Sequence, residues 1–394
     1  MRRTIVSLTL VTVCTACLGA TASAAPPTAD QVKLPVVPSA LAAGAACTKA
    51  STAVAKAVPW EQRALGLEGT WATSAGRTGG SGVTVAVVDT GVAAGAPGLK
   101  GRVTAVGPAG SDCVGHGTFV AGLIAAAQDK GVRFAGVADQ ARVLAVRGTD
   151  ERGAATAGSV AAGIRAAAKA GAEVIVVAPA LNTGSADLTA AVAYATSKDA
   201  LVIAAAAPDP VGAGTASPPA PRDYWPASDP RVLSVLDVDP KGARPDGAPM
   251  PLRADLTAPG DGVVGIGPSG KGHYIGSGAS LAAAYVAGTA ALVRAAHPGL
   301  SAEETAARLT GTAYPADVPR LDPYAAVTSV RQGATAAASA PAAEGPVHLA
   351  TDPEATAAGH RALAVTSLGA AAVLAVAWAA AVARLRRKPS TDGS

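Results

Sequence analysis

Short apolar runs that alternate with helical segments constrain the fold of this 394-residue chain more than any other feature. Residues 83–88, 172–177 and 200–205 are rich in Val, Ile, Leu and Ala, as expected for strands buried on both faces of a parallel sheet. Residues 154–170 and 188–198 are candidate helices, and each is followed by one of these strands. This alternation predicts an α/β fold with a doubly wound parallel sheet.

The composition favours one large domain and argues against a nucleic-acid partner. The net charge is only +4, and the four cations Arg384, Arg386, Arg387 and Lys388 account for that excess. The rest of the chain is therefore close to neutral, and no nucleic-acid binding is expected. Aromatic residues make up 3% of the chain and alanine is abundant, so the core is built from small side chains. The region between the two ends, about 270 residues, suits one α/β domain.

Three glycine-rich phrases each hold one residue of a possible catalytic triad. The phrases are Val-Val-Asp-Thr-Gly around Asp89, Gly-His-Gly-Thr around His116 and Gly-Ala-Ser-Leu-Ala around Ser280. Asp89 follows the first strand, and sites in open α/β sheets lie at the carboxyl ends of strands. His116 and Ser280 each stand at the start of an apolar helical run, where the helix dipole favours a neutral imidazole and stabilises negative charge.

Each phrase also has an ordinary explanation when it is taken alone. An Asp in Asp-Thr-Gly is a common turn residue, a His at a helix start is often a cap or solvated, and Ser is a frequent N-cap. All three in one order, at a strand end and two helix starts, are jointly improbable as ordinary residues. A serine hydroxyl becomes a nucleophile when an imidazole takes its proton and a carboxylate orients that imidazole. We therefore predict that Asp89 is the acid, His116 the base and Ser280 the nucleophile.

With these phrases the chain resembles the subtilisin-like serine peptidases (S8 family) over residues 59–330. Within that family it is most similar to the mycosins, membrane-anchored proteases of type VII secretion systems. The narrower resemblance rests on short segments on both sides of the triad: residues 59–65 with Trp71, 256–260, 291–298, 308–313 and 321–324. The resemblance implies a subtilisin-like three-layer fold, a polypeptide substrate and catalytic roles for the three residues. No cofactor is expected, and the scattered Asp residues lack the spacing of a calcium loop.

The chain departs from the family where the second oxyanion donor is expected. In subtilisin-like enzymes, the strand that corresponds to residues 200–205 ends in Ala-Gly-Asn, and the amide of this asparagine donates to the oxyanion. Here the stretch is Ala206-Ala207-Pro208-Asp209, so the usual asparagine is replaced near Pro208. Pro208 has no donor, and an ionised Asp209 would repel an oxyanion; losing this donor costs roughly 100- to 1000-fold in turnover. The backbone N–H of Ser280 remains as the other oxyanion donor.

A second departure concerns the predicted substrate-binding edge. The family has Ser-Leu-Gly where this chain has Ala178-Pro179-Ala180. That edge pairs with the substrate backbone and walls the specificity pocket, and proline cannot donate to such a ladder. Two hypotheses follow. The chain is a slow serine endopeptidase that cleaves exported proteins, or it is a catalytically impaired structural subunit of a membrane secretion complex.

The ends of the chain predict export and a single membrane anchor. Residues 1–24 have the basic start, apolar stretch and small-residue cleavage site of a signal peptide. Residues 25–58 form an N-terminal extension, 59–330 the peptidase domain and 331–361 a flexible linker. Residues 362–383 are long and apolar enough to span a membrane, and the basic tail 384–394 places the C-terminus in the cytoplasm. The peptidase domain is therefore expected outside the cell membrane.

Two of the four cysteines remain after the signal peptide is removed. Cys47 and Cys113 then lie in an oxidising compartment, either as a disulfide or as two free thiols. Mycosins have a similar N-terminal extension that wraps the catalytic domain and is disulfide-linked, so the resemblance implies that the two cysteines pair. A bridge that closes about 66 residues would stabilise the fold by up to about 4 kcal/mol.

Overall fold

Strands and helices alternate along the first of two units in the computed structural model, which describes residues 32–128, 133–210, 220–330 and 371–383. The two units are Met1–Val330 and Arg331–Ser394. The strands of the first unit are β1 (Thr84–Asp89), β2 (Val103–Ala105), β3 (Arg142–Arg147), β4 (Val174–Val177), β5 (Leu201–Ala205), β6 (Leu233–Val238), β7 (Leu256–Pro259), β8 (Val263–Ile266) and β9 (His273–Gly276). Its helices are α1 (Trp60–Ala64), α2 (Leu67–Ala72), α3 (His116–Ala125), α4 (Ala157–Lys169), α5 (Ala186–Ser197), α6 (Ala279–Ala296), α7 (Ala302–Gly311) and α8 (Pro323–Thr328).

One parallel sheet forms the middle layer of this unit. Its seven strands have the order β2-β3-β1-β4-β5-β6-β7. The central strand β1 pairs with β3 and β4, so that Val85 lies opposite both Val143 and Val174. Strands β8 and β9 form a separate antiparallel pair. Because all neighbours in the large sheet are parallel, their carboxyl ends meet at one edge, where sites in open α/β sheets lie.

Helices cover both faces of the sheet and explain why its strands are apolar throughout. Val85 and Val87 of β1 pack into a core that includes α3 and α6. The alternate residues Ala86 and Val88 pack into a second core with α4 and α5. Successive strand residues point to opposite faces, and both faces are buried here. The predicted three-layer α/β architecture with a doubly wound parallel sheet is thereby confirmed.

The observed elements follow the apolar pattern closely. The candidate strands at 172–177 and 200–205 correspond to β4 and β5, and the candidate helices at 154–170 and 188–198 correspond to α4 and α5. Helix α6 has 18 residues. In the described part of the chain it is the one helix with the length and hydropathy to cross a membrane, but 83% of it is buried inside the unit. It is therefore the central core helix.

The N-terminal extension lies along the peptidase domain over its described residues 32–58. Val37 donates a backbone hydrogen bond to Ile275 (2.9 Å), and Leu41 donates one to Arg152 (2.8 Å). Cys47 and Cys113 form a disulfide with a Cα–Cα distance of 4.6 Å. The bridge ties the extension to the loop just before α3, which presents His116.

The second unit is described only over the helix α9 (Ala371–Ala383). Its Val373, Leu374, Val376 and Trp378 side chains are exposed. The helix covers the second part of the predicted membrane span 362–383, and the anchor stays a prediction. The predicted signal peptide 1–24, linker 331–361 and basic tail 384–394 lie outside the described residues, as do residues 25–31 of the extension and 362–370 of the span.

Candidate active site

The end of β1 and the start of α3 bring Asp89 and His116 together. Asp89 is the last residue of β1, and His116 is the first residue of α3. The turn before α3 needs the left-handed backbone of Gly115, whose φ is 94°. His116 Nδ1 lies 2.8 Å from Asp89 Oδ2 and 3.1 Å from Asp89 Oδ1. Both side chains are buried, so the carboxylate can fix the orientation of the imidazole.

Ser280 completes a hydrogen-bonded series of three side chains. It is the second residue of α6, and its hydroxyl Oγ lies 3.2 Å from His116 Nε2. The imidazole therefore stands between the carboxylate of Asp89 and the hydroxyl of Ser280. The structure brings together all three residues that the glycine-rich phrases predict. This arrangement can move a proton from the hydroxyl to Nε2 while Nδ1 stays bonded to the carboxylate.

The protonation of His116 differs from the expectation based on the helix dipole. Burial disfavours the imidazolium, but the charge of Asp89 and hydrogen bonds to Asp209 and Asp89 outweigh it. The pKa of His116 is therefore raised well above its ordinary value. The helix dipole at the start of α3, which favours a neutral imidazole, is therefore outweighed by two carboxylates that act at closer range.

Asp112 fixes the loop that presents His116, and the sequence analysis did not identify this residue. Its Oδ1 accepts hydrogen bonds from Thr90 Oγ1 (2.9 Å) and Gly115 N (2.8 Å). Its Oδ2 accepts from Thr118 N (2.9 Å) and Thr118 Oγ1 (2.7 Å). Burial raises the pKa of Asp112, and these hydrogen bonds oppose the rise. One carboxylate thus joins the turn after β1 to the first turn of α3.

A third carboxylate, that of Asp209, lies against Ser280. Ser280 N donates to Asp209 Oδ1 at 3.1 Å, and Ser280 Oγ donates to Asp209 Oδ2 at 2.5 Å. His116 Nε2 is 3.1 Å from the same Oδ2. Within the stretch 206–209, the side chain that lies beside the Ser280 N–H is therefore that of Asp209, whereas the sequence pointed to Pro208. A Cβ on Gly278 would come within 1.9 Å of Asp209 Oδ1, so the glycine before the nucleophile leaves room for this carboxylate.

The predicted substrate-binding edge directly follows β4. Ala178 is buried, and its N–H donates to Val88 O at 3.2 Å, which continues the sheet. Ala180 packs against a small cluster that includes Ala207 and the buried side chain of Tyr224. Pro179 and Ala180 are half-buried. The role of Ala178, Pro179 and Ala180 in substrate binding stays a prediction.

A cavity of about 410 Å³ lies beside Asp209. Its lining includes Asp209, Asp237, Arg244 and Asp261. Burial raises the pKa of Asp237 to about 6; Arg244, which forms an ion pair with it, opposes the rise, and Asp209 adds to it. Among the described residues, no group of three or more His, Cys, Asp or Glu side chains is placed to hold a metal ion.

The comparison with protein-family models decides the family. The model of the subtilase family (peptidase S8) matches residues 80–347. The chain belongs to the subtilase family. Mycosin-3 of Mycobacterium tuberculosis (strain ATCC 25618 / H37Rv) is 33% identical, and the match covers 84% of each chain. The chain is a mycosin-like member of the family and a serine-type endopeptidase by family.

Two solved structures resemble the chain over most of its length. The MycP3 protease from the type VII (ESX-3) secretion system has a TM-score of 0.61 and 32% identity, and the match covers 77% of this chain and 99% of that chain. The periplasmic assembly from the ESX-5 inner membrane complex has a TM-score of 0.62 and 28% identity, with 78% and 92% covered.

Proposed function

We propose that the chain is a membrane-anchored serine endopeptidase of a type VII secretion system, and that it cleaves exported proteins slowly. The observation that carries the enzymatic part is the hydrogen-bonded series from Asp89 through His116 to Ser280, with distances of 2.8 and 3.2 Å. The secretion-system assignment is supported by the likeness to Mycosin-3 and to the ESX-5 assembly. The slow rate follows from Asp209 at the position of the oxyanion amide.

In this mechanism the three side chains have separate tasks. Ser280 Oγ attacks the peptide carbonyl carbon while His116 Nε2 takes the hydroxyl proton. Asp89 holds Nδ1 and stabilises the imidazolium that forms. The same Nε2 then gives its proton to the leaving amine, which releases the first product and leaves an acyl group on Ser280. Water, activated by the neutral imidazole, hydrolyses this ester.

A labelling experiment tests the enzymatic part on the full chain in its membrane. A fluorophosphonate probe reacts only with a serine that is activated as a nucleophile. We expect labelling of the parent chain and its loss in Ser280→Ala. Ser197→Ala removes an exposed hydroxyl on α5 and is the matched control, which should label like the parent. Labelling that persists in Ser280→Ala would contradict the assignment of the nucleophile.

A second candidate function is a structural subunit of a membrane secretion complex with an impaired site. The observation that favours it is the carboxylate of Asp209, which occupies both the N–H and the hydroxyl of Ser280. Secretion in the organism that carries the chain distinguishes the two functions. A Ser280→Ala chain that restores secretion fully to a deletion strain supports the structural role, whereas failure with normal protein levels supports proteolysis.

The anchored topology is tested separately. Residues 362–383 and the basic tail predict a single span with the peptidase domain outside. An external protease should therefore digest the domain on intact cells and spare a tag at the C-terminus. Ending the chain before residue 362 should move the domain from the membrane fraction to the medium. Retention of that shortened chain in the membrane would contradict the proposed anchor.

A further inference from the structure

One carboxylate contacts both of the groups that the proposed reaction uses at Ser280. Asp209 Oδ1 accepts the backbone N–H of Ser280 at 3.1 Å, and this N–H is the remaining oxyanion donor. Asp209 Oδ2 accepts the nucleophilic hydroxyl at 2.5 Å and lies 3.1 Å from His116 Nε2. The Asp209 side chain is only 9% exposed. The carboxyl group of Asp209 is therefore placed to affect how Ser280 reacts.

An ionised and a neutral Asp209 have opposite effects on an oxyanion. A carboxylate is an acceptor only, so it occupies the Ser280 N–H and repels the negative charge that forms on the substrate oxygen. A protonated carboxyl carries one O–H donor and no net charge. A neutral carboxylic acid in a low-dielectric oxyanion site can stabilise the developing charge, as a buried protonated Asp does in ketosteroid isomerase.

The distance between Asp209 and His116 lets the two groups share one proton. With the proton on Nε2, the pair is an imidazolium and a carboxylate, and the imidazole cannot act as the general base. With the same proton on Asp209, the imidazole is neutral and can act as a base, while the carboxyl can donate. These two arrangements hold the same number of protons and differ only in which of the two groups, 3.1 Å apart, carries the proton.

We infer that Asp209 is a proton-controlled oxyanion donor, and that one proton shared between Asp209 and His116 switches the site from a resting ion pair to a reactive state. This inference rests on the proposed protease function and adds a fourth side chain to its site. The cavity of about 410 Å³ that Asp209 lines leaves space beside its carboxyl group.

The chemical step balances without any further reactant. Ser280 Oγ forms a bond to the carbonyl carbon, its proton moves to His116 Nε2, and the carbonyl π electrons move to the oxygen. That oxygen accepts hydrogen bonds from the Ser280 N–H and from the O–H of Asp209, which keeps its proton. When the C–N bond breaks, Nε2 protonates the amine, and the oxygen returns its electron pair to the carbonyl.

Several titratable and charged groups lie around Asp209. The titratable and charged groups around it come from four parts of the fold: His116 on α3 with Asp89 behind it, Asp237 on β6, Arg244 and Asp246 on the following loop, and Asp261 after β7. Arg244 forms an ion pair with Asp237. In the part of the chain that the structure describes, His116 is the one cation within ion-pair distance of the Asp209 carboxylate.

The pair predicts a bell-shaped dependence of activity on pH. Gain of a second proton at low pH leaves Asp209 neutral but His116 charged, so the base is lost. Loss of the shared proton at high pH leaves a neutral base but a charged Asp209, so the oxyanion is repelled. Activity is therefore highest while the pair holds one proton. An Asn at position 209 cannot ionise, so its activity should rise with pH to a plateau as His116 loses its proton.

The test compares the parent chain with Asp209→Asn, which keeps the shape of the side chain. Rates of fluorophosphonate labelling and of peptide cleavage are measured on the full chain from pH 4 to 10. Asp187→Asn makes the same charge change on an exposed residue of α5 and is the matched control. At the alkaline end we expect Asp209→Asn to exceed the parent by about 100-fold, the lower range for one oxyanion donor. A thermal unfolding curve verifies that each variant is folded.

Each outcome separates this inference from the proposed protease function. A bell-shaped parent profile that becomes a rising profile in Asp209→Asn supports the shared proton. If both chains show the same rising profile, the protonation of Asp209 does not control activity, although the protease function stands. If Asp209→Asn is labelled and the parent is not labelled at any pH, the shared-proton inference is wrong and Asp209 blocks the site permanently. Folded chains that are all silent overturn the protease function itself.

Discussion

The two halves of the candidate site are built on the same framework but differ in their electrostatics. The base half consists of Asp89, Asp112 and His116, and its two carboxylates accept hydrogen bonds from the groups that they orient. The oxyanion half consists of Asp209 and the backbone N–H of Ser280, and the Asp209 carboxylate faces the place where the proposed reaction forms a negative charge. The first half is arranged to stabilise a positive imidazolium, and the second is arranged against a negative oxygen unless it holds a proton.

This difference shows that position and chemistry are set by different parts of the chain. The ends of β1 and β5 and the starts of α3 and α6 fix where the four side chains lie. One side chain, Asp209, then decides whether the oxyanion half assists or opposes the reaction. The fold of a subtilase is therefore compatible with either an active or a silenced site, and experiments on single side chains can separate the two halves.

The largest effect should come from breaking the base half at Asp89. Asp89→Asn keeps the size of the side chain but removes the charge that fixes the tautomer of His116. By analogy with the same change in a serine protease triad, kcat should fall by about 10,000-fold. Steady-state peptide cleavage measures it, with Asp187→Asn as the control for a lost surface charge. A loss below about tenfold would mean that the base half does not limit the reaction.

Removal of the disulfide should act on the stability of the fold and on the base half. Cys47 and Cys113 are 66 residues apart in sequence, and the bridge adjoins the loop that Asp112 fixes. The double variant Cys47→Ser/Cys113→Ser should lose up to about 4 kcal/mol of unfolding free energy, measured by denaturant titration. The single variants are controls and should lose a similar amount, because either one opens the bridge.

The effect of disulfide removal on the pH profile tests whether the base half and the oxyanion half are independent. The bridge is attached next to the base half, and no contact joins it to Asp209 among those of the described residues. We therefore expect the double variant to lower the rate while the position of the alkaline limb stays the same. A shifted alkaline limb would show that the extension also acts on the shared proton of Asp209 and His116.

Local patterns explain how much could be predicted from the sequence. Strands β4 and β5 are apolar on both faces, so a short run of apolar residues is enough to predict that each strand is buried. The residues Asp89, His116 and Ser280 stand in glycine-rich phrases beside recognisable strands and helices. Such signals lie within about ten residues of the position they describe. They predicted the three-layer fold and the three side chains that the structure brings together.

Contacts between distant segments explain the rest. The choice between Pro208 and Asp209 depends on the path of the chain after β5 and on the space above Gly278, which no local pattern encodes. The raised pKa of His116 depends first on the charge of Asp89 and then on the approach of Asp209, and both of these residues are distant from His116 in the sequence. The four hydrogen bonds of Asp112 likewise join it to residues on both sides of the loop.

The smallest effect should come from weakening the base half at Asp112. Asp112→Asn replaces one acceptor oxygen with an NH₂ group that faces the donors of Gly115 or Thr118. Leaving a buried donor unpaired costs about 1–3 kcal/mol, so the unfolding free energy should fall by about that amount. Asp150→Asn is the control, because Asp150 also accepts backbone N–H groups but lies on the exposed loop after β3.

The activity of this variant tests whether the two halves are independent. Since Asp112 positions the loop of His116 without touching Ser280 or Asp209, kcat should fall by up to about 100-fold, the loss expected for a base misplaced by about 1 Å. The bell-shaped pH profile should keep its shape, because the pair that shares the proton is unchanged. If Asp112→Asn instead removes the alkaline decline, the decline does not belong to Asp209, and the contrast between the two halves of the site is lost.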